Sequence, residues 1–272
     1  MERRKVFLIL IDISGYTRFT RLHRLSAMHA EQIISDLLES IINRATIPLV
    51  AHEILGDSVN FYALGDEGRR TAIEIRRQVT AIFDAFRLRE GEVISDCSLC
   101  ICEACVNVGK LHLKAVLHYG DAVFTQVAGF KKIAGEDVIL AHRLLKNSLP
   151  EDEYVLETES FYQLAGGSAG SEPERRVEAL DDLGSVACRV SYPGECGMPK
   201  YAARRSLASK LRMSLRTNIH YLRRLFRGAS RPFENIEAIA PAQAASQTAL
   251  FAAKTHARLQ PDKSDSRIKS GG

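Results

Sequence analysis

No stretch of this chain is apolar for long enough to span a membrane. The N-terminal MERRKVFLILI has the charge of a signal peptide, but its apolar run covers only Val6 to Ile11 before Asp12 interrupts it, so neither secretion nor a membrane span is expected and the chain reads as cytoplasmic. Acidic residues are missing from Lys200 to Arg231, where ten Lys and Arg residues precede the next acid, Glu234. The formal net charge of +4 therefore belongs to an appendage. That basic segment carries no base-reading motif, which argues against nucleic acid as a partner. With no export signal, the six cysteines are unlike a disulfide framework; Cys97, Cys100, Cys102 and Cys105 fall inside nine residues, a density that suggests metal or redox chemistry.

What is present is room for one ordinary domain plus an appendage: 272 residues, 46% of them hydrophobic, enough to bury a core. Val6 to Ile11 is a continuous branched apolar run, as in a strand covered on both faces. Ile33, Ile34, Leu37, Leu38, Ile41 and Ile42 recur at helical spacing over about Met28 to Ala45, closed by Pro48. Leu49 to Leu55 and Val59 to Leu64 read as a hairpin around Gly56-Asp57-Ser58. A second amphipathic helix is expected from about Arg69 to Leu88, a second hairpin (Leu111 to His118, Ala122 to Ala128) around Tyr119-Gly120-Asp121, a third helix over Val138 to Leu145, and strands at Tyr154 to Leu156 and Val186 to Val190. This order predicts an α+β sandwich with helices on one face of a mainly antiparallel sheet. The domain is expected to occupy 1–195, with a cysteine-rich insert at 96–106, a basic helix at 200–228 and a flexible tail at 229–272.

Two runs, DISGYTRF from Asp12 and EILGDSVNFYA from Glu53, each set one carboxylate beside a small flexible residue where a strand ends. Paired aspartates so placed can hold divalent cations, which points to phosphoryl chemistry on a nucleotide. The simpler alternative is that Asp12 caps the next helix and Asp57 is a turn residue.

Four blocks, FLILIDISGYTRF, EILGDSVNFYA, LKAVLHYGDAV and AGEDVILAHRLLKN, resemble in order and spacing the catalytic domain of the class III nucleotidyl cyclases, the adenylyl and guanylyl enzymes, over about Lys5 to Asn147. The resemblance implies a ferredoxin-like α+β fold and a homodimer that builds each site from two subunits. It further implies a purine nucleoside triphosphate as substrate, and two Mg²⁺ or Mn²⁺ ions held by Asp12, Asp57 and the Ile13 carbonyl. It places base recognition at Glu53 and Lys132 and the transition-state arginine at Arg143. Two departures stand out. Glu53 alone suits guanine, but Lys132 fits neither purine, and the two could pair with each other. The position of the transition-state Asn is Ile139, a loss that costs about 100- to 1000-fold in turnover. His142 and Asn147 are nearby polar residues, but helical geometry turns His142 away from the face of Ile139 and Arg143. The resemblance therefore implies a slow cyclase or, alternatively, an inactive pseudo-cyclase acting as a regulatory or nucleotide-binding module.

The spacing C-x2-C-x-C-x2-C can deliver Cys97, Cys100, Cys102 and Cys105 to a structural zinc; three of them with His112, ordinary thiols, or an iron–sulfur cluster are the alternatives. Between Ala208 and Arg227, Leu211, Leu215, Ile219, Leu222 and Phe226 fall at helical steps among basic residues. That pattern suits a helix on an anionic membrane, a partner protein or the chain's own domain.

Overall fold

The computed structural model describes residues 1–22, 27–96, 103–167 and 172–193. The basic helix expected at 200–228, the tail, and Cys97, Cys100 and Cys102 lie outside the described residues.

Strand β1 (Glu2–Ser14) is followed by helices α1 (Tyr16–Leu22) and α2 (Ala27–Arg44), the hairpin β2 (Val50–Leu55) and β3 (Ser58–Leu64), and helix α3 (Arg69–Asp96). Then come the short α4 (Glu103–Asn107), β4 (His112–Val127), β5 (Phe130–Ala134), α5 (Glu136–Leu144), β6 (Tyr154–Thr158), α6 (Glu159–Leu164), β7 (Glu174–Leu180) and β8 (Gly184–Ser191). The eight strands form one sheet in the order β2-β3-β1-β4-β6-β8-β7, with β5 also paired to β4. Among the described residues only β4 and β6 run parallel. This is the expected mainly antiparallel α+β sandwich.

Side chains alternate between the faces of a strand, and β1 shows what each face requires. Phe7, Ile9, Ile11 and Ile13 enter a core with Ile34, Leu37 and Ile41 of α2 and Val79, Phe83 and Phe86 of α3. Val6, Leu8 and Leu10 point the other way, into a smaller core with Val116, Leu156, and Ala141 and Leu144 of α5. The helix stripes were expected, but α5 adds a cover on the second face. Asp12 follows Leu10 in that same alternation and so belongs to the second face.

Two local features differ from expectation. First, α3 continues to Asp96, because Val93 remains buried one further turn on. Second, the expected hairpin at Tyr119-Gly120-Asp121 is the middle of one unbroken strand. β1 pairs with β4 from Ser14↔His112 through to Glu2↔Phe124, and the real turn lies at Ala128-Gly129. Gly120 is needed for close approach: a Cβ there would overlap the carboxylate of Asp137, whose Oδ2 accepts the Asp121 N–H at 2.6 Å. Gly56, by contrast, is a true turn glycine, with φ of +61° in the β2–β3 hairpin.

Candidate active site

The end of β1 and the β2–β3 turn meet because the strands are in register. Asp12 is opposite Ser58 on β3, and the Ile13 N–H donates to the Asp57 carbonyl at 3.1 Å. The two aspartates predicted as metal ligands are therefore brought together, and Ile13 is tied to the same turn. Burial, and then the charge of Asp12, push the Asp57 carboxyl up to about 6, the sign of two acids sharing too little counter-charge.

Some counter-charge comes from Lys114, which occupies the position opposite Asp12 on β4. Its Nζ lies 3.0 Å from Asp12 Oδ2 and donates to the Leu145 carbonyl at 3.3 Å. Burial works against this ammonium, but Asp12 outweighs it and the Lys114 pKa is raised. Lys114 was not singled out in the sequence, because its place opposite Asp12 depends on the register between β1 and β4. Tyr154 stands nearby, its pKa raised by burial. Its hydroxyl accepts from Asn147 Nδ2 at 2.7 Å, and the same amide nitrogen donates to the Leu144 carbonyl. Asn147 is thus engaged in closing the loop after α5.

The residues of α5 divide between two directions. Ile139 is 54% exposed, and the Arg143 side chain is 59% exposed, with only a 3.9 Å ion pair to the open Asp182. Val138 and His142 instead line a cavity of about 50 Å³ whose walls include Leu8, Leu10, Glu53 and Ile133. Asn60 also lines it and donates to Glu53 Oε2 at 3.4 Å. Among the described residues no ion pair joins Glu53 to Lys132, which sits on exposed β5 opposite Thr125.

The base of α5 is held by residues that the sequence reading passed over. Asp137 accepts from the Asp121 amide and meets His118 Nε2 at 3.0 Å, while His118 Nδ1 lies 2.9 Å from Thr158 Oγ1. This clamp sets the direction in which His142 and Arg143 project.

Of the proposed thiol ligands only Cys105 is described. It is buried on α4, its sulfur 3.7–3.8 Å from the ring nitrogens of His29. His112, the alternative ligand, stands against Glu153 instead, 3.7 Å away, and that carboxylate raises its pKa. Among the described residues no group of three or more His, Cys, Asp or Glu is arranged to hold a metal ion. A cation at Asp12 and Asp57 would rest on that pair and on non-side-chain oxygens. The pair fits one: the raised Asp57 is what a divalent charge would relieve. No described helix is long and apolar enough to cross a membrane.

Comparison with known proteins follows this geometry. The family described as "Protein of unknown function (DUF2652)" matches residues 34–154, less than half of the chain. An uncharacterised protein of Mycobacterium tuberculosis is 32% identical over 130 residues, covering 48% of this chain and 59% of that relative's length. The adenylyl cyclase CyaB from P. aeruginosa superposes with a TM-score of 0.54 at 15% identity, covering 70% of this chain and 95% of its own. The guanylyl cyclase Cya2 gives 0.52 at 13% identity, covering 74% and 96%. The chain therefore has the fold of adenylyl and guanylyl cyclase catalytic domains.

Proposed function

We propose that the second face of the sheet binds a purine nucleoside triphosphate together with Mg²⁺ or Mn²⁺, and that it forms a 3′,5′-cyclic nucleotide and pyrophosphate at most slowly. The observation that carries this reading is the convergence of Asp12 and Asp57, with Asp57 held up to about 6 by burial and by its neighbour's charge. Asp12, Asp57 and the Ile13 carbonyl would hold the metal, which supplies charge neutralisation of the triphosphate and activation of the ribose 3′-hydroxyl. Lys114 lies where its ammonium can turn from Asp12 to a phosphate oxygen once a cation takes the carboxylates. Arg143, directed outward, suits the site of a second copy in a homodimer. That outward exposure supports the dimer, as do the relatives' shared fold and the family resemblance of the sequence.

A second reading, a pseudo-cyclase that regulates another protein, is favoured by Ile139. An exposed apolar side chain stands where a donor to the transition state is needed. Calorimetry of the full chain with ATP or GTP, with and without Mn²⁺, tests the common part. Metal-dependent binding lost in Asp57→Ala supports it, and equal binding in chelator removes it. Assay of cyclic nucleotide then separates the two readings. We also propose a structural zinc at Cys97, Cys100, Cys102 and Cys105, a reading supported by the spacing of these thiols in the sequence. About one zinc per chain by elemental analysis is expected, and none in purified protein would exclude it.

A further inference from the structure

The β4–β5 hairpin ends in an open apolar tip. Its turn residues Ala128 and Gly129 both have positive φ, 51° and 88°, the conformation of the tightest two-residue hairpins. Val127 and Phe130 flank that turn as a pair, and they are 58% and 53% exposed. Gln126, Ala128, Lys131 and Lys132 around them are exposed as well. Two apolar side chains are thus held together at the far end of the hairpin.

The register sets a basic row behind this tip. Side chains alternate between the faces of a strand, so Val127, Thr125, Val123 and Asp121 share one face of β4. Opposite them lie Phe130 and Lys132 on β5, and Arg3 and Lys5 on β1. Arg3 and Lys5 both reach Asp121 Oδ2, at 3.1 and 2.8 Å, one acid between two bases. From Ala122 to Gly135 the chain carries no acid at all, and its charges there are Lys131 and Lys132.

We propose that this face docks on an anionic lipid surface, with Val127 and Phe130 entering the boundary between headgroups and acyl chains and Lys131 and Lys132 meeting the headgroups. The inference is independent of the nucleotide reading and concerns residues outside the basic segment at 200–228. Size and charge favour lipid over protein as the occupant. Two half-exposed side chains fall far short of the roughly 800 Å² that each partner buries in a stable protein interface. A bilayer boundary accepts a small apolar anchor when a few cations act with it. The spacing also fits: two residues of strand put Lys132 about 7 Å behind Phe130, which is headgroup depth for an anchor buried about 5–10 Å. Lys5, opposite Asp121, lies about 20 Å behind Val127, beyond the reach of a screened surface charge. The lysine that the cyclase resemblance assigned to a base thereby gains a place that suits its exposure.

The chain contains no tryptophan, so Phe130→Trp gives the tip a single reporter in the full protein. Vesicles of phosphatidylcholine with about a third phosphatidylserine, the anionic lipid of this class of surface, are expected to shift its emission to shorter wavelength. Brominated acyl chains should quench it. Co-sedimentation, with far-UV circular dichroism confirming that each variant is folded, then ranks the residues. Lys131→Gln with Lys132→Gln should weaken partitioning by about 25-fold, the product of about fivefold for each lysine. Phe130→Ala should weaken it by about tenfold. Lys5→Gln, and Arg77→Gln on the exposed side of α3, should leave it within about twofold. Equal binding to pure phosphatidylcholine overturns the proposal, as does no binding. Vesicle binding without a change in the Phe130→Trp emission overturns it too, because another part of the chain then makes the contact. If the tip variants dissociate a dimer in analytical ultracentrifugation and leave vesicle binding unchanged, the face belongs to a second copy of the chain and the lipid assignment is wrong.

Discussion

The two faces of the sheet are made by the same strands yet do different work. The face under α2 and α3 is closed by helices of 18 and 28 residues and is lined by fully buried Phe7, Phe83, Phe86 and Ile41. Among the described residues the other face has only the nine-residue α5 over it, and there the alternation of β1, β3 and β4 places Asp12, Asn60, Lys114 and His118. Long helices exclude water and leave no place for unpaired charge; a short one leaves polar groups partly solvated and available to a ligand. Among the described residues, the larger apolar core lies on one side of the sheet and the proposed site on the other.

The strongest way to break that contrast is to cut the closed face. Phe83→Ala removes a ring that is 2% exposed and should cost about 3–5 kcal/mol, read as a shift of the urea midpoint. A loss below about 1 kcal/mol, well short of a core cavity, would show that this core is not close-packed. On the open face, Asp137→Ala leaves His118 Nε2 and the Asp121 amide without their carboxylate and should cost about 1–3 kcal/mol. An unchanged stability would show the clamp to be dispensable.

Asp57 should behave in the opposite sense to a core residue. Its carboxyl is raised from 3.8 to about 6 in the folded protein, so between those values the native state keeps a proton that the unfolded chain has released. Without metal, stability should therefore fall as pH rises through that window and stay lower above it. Asp57→Asn should remove the fall and stabilise the metal-free protein by roughly 1–2 kcal/mol above pH 6, after allowance for partial exposure. It should also abolish stabilisation by Mn²⁺. Thermal melts from pH 4 to 8 that superimpose for the two proteins would contradict the electrostatic account of the site.

The smallest expected effect on stability sharpens the contrast most. Ile139→Asn alters an exposed side chain and should leave the melting point nearly unchanged, within about 0.5 kcal/mol. It does restore a donor where the cyclase resemblance calls for one. A measurable rise in cyclic nucleotide under Mn²⁺ would favour the slow enzyme. Unchanged yield with intact nucleotide binding would favour the regulatory module.

Much of this architecture was legible in the sequence because it is written in periodicity. The stripe Ile33 to Ile42 on α2, the run Val6 to Ile11 and the turn at Gly56-Asp57 each encode a local structure that the fold only had to accept. The hairpin misread at Tyr119-Gly120-Asp121 fails for an equally physical reason. A glycine signals either a turn or a close approach, and only the arrival of Asp137 from α5 decides between them. α1, α4, β5, α6 and β7 were missed, each too short to show a clear periodic pattern.

By itself the sequence determined the α+β class, the two aspartates at strand ends and the departure at Ile139, since these depend on residue type and near-neighbour spacing. Only the tertiary structure decided what those aspartates meet. Register across β1 and β4 sets Lys114 against Asp12, and the clamp from Asp137 to His118 aims His142 rather than Arg143 at Glu53. Contacts between residues tens of positions apart follow from how strands align and helices rotate, and no local spacing contains that information.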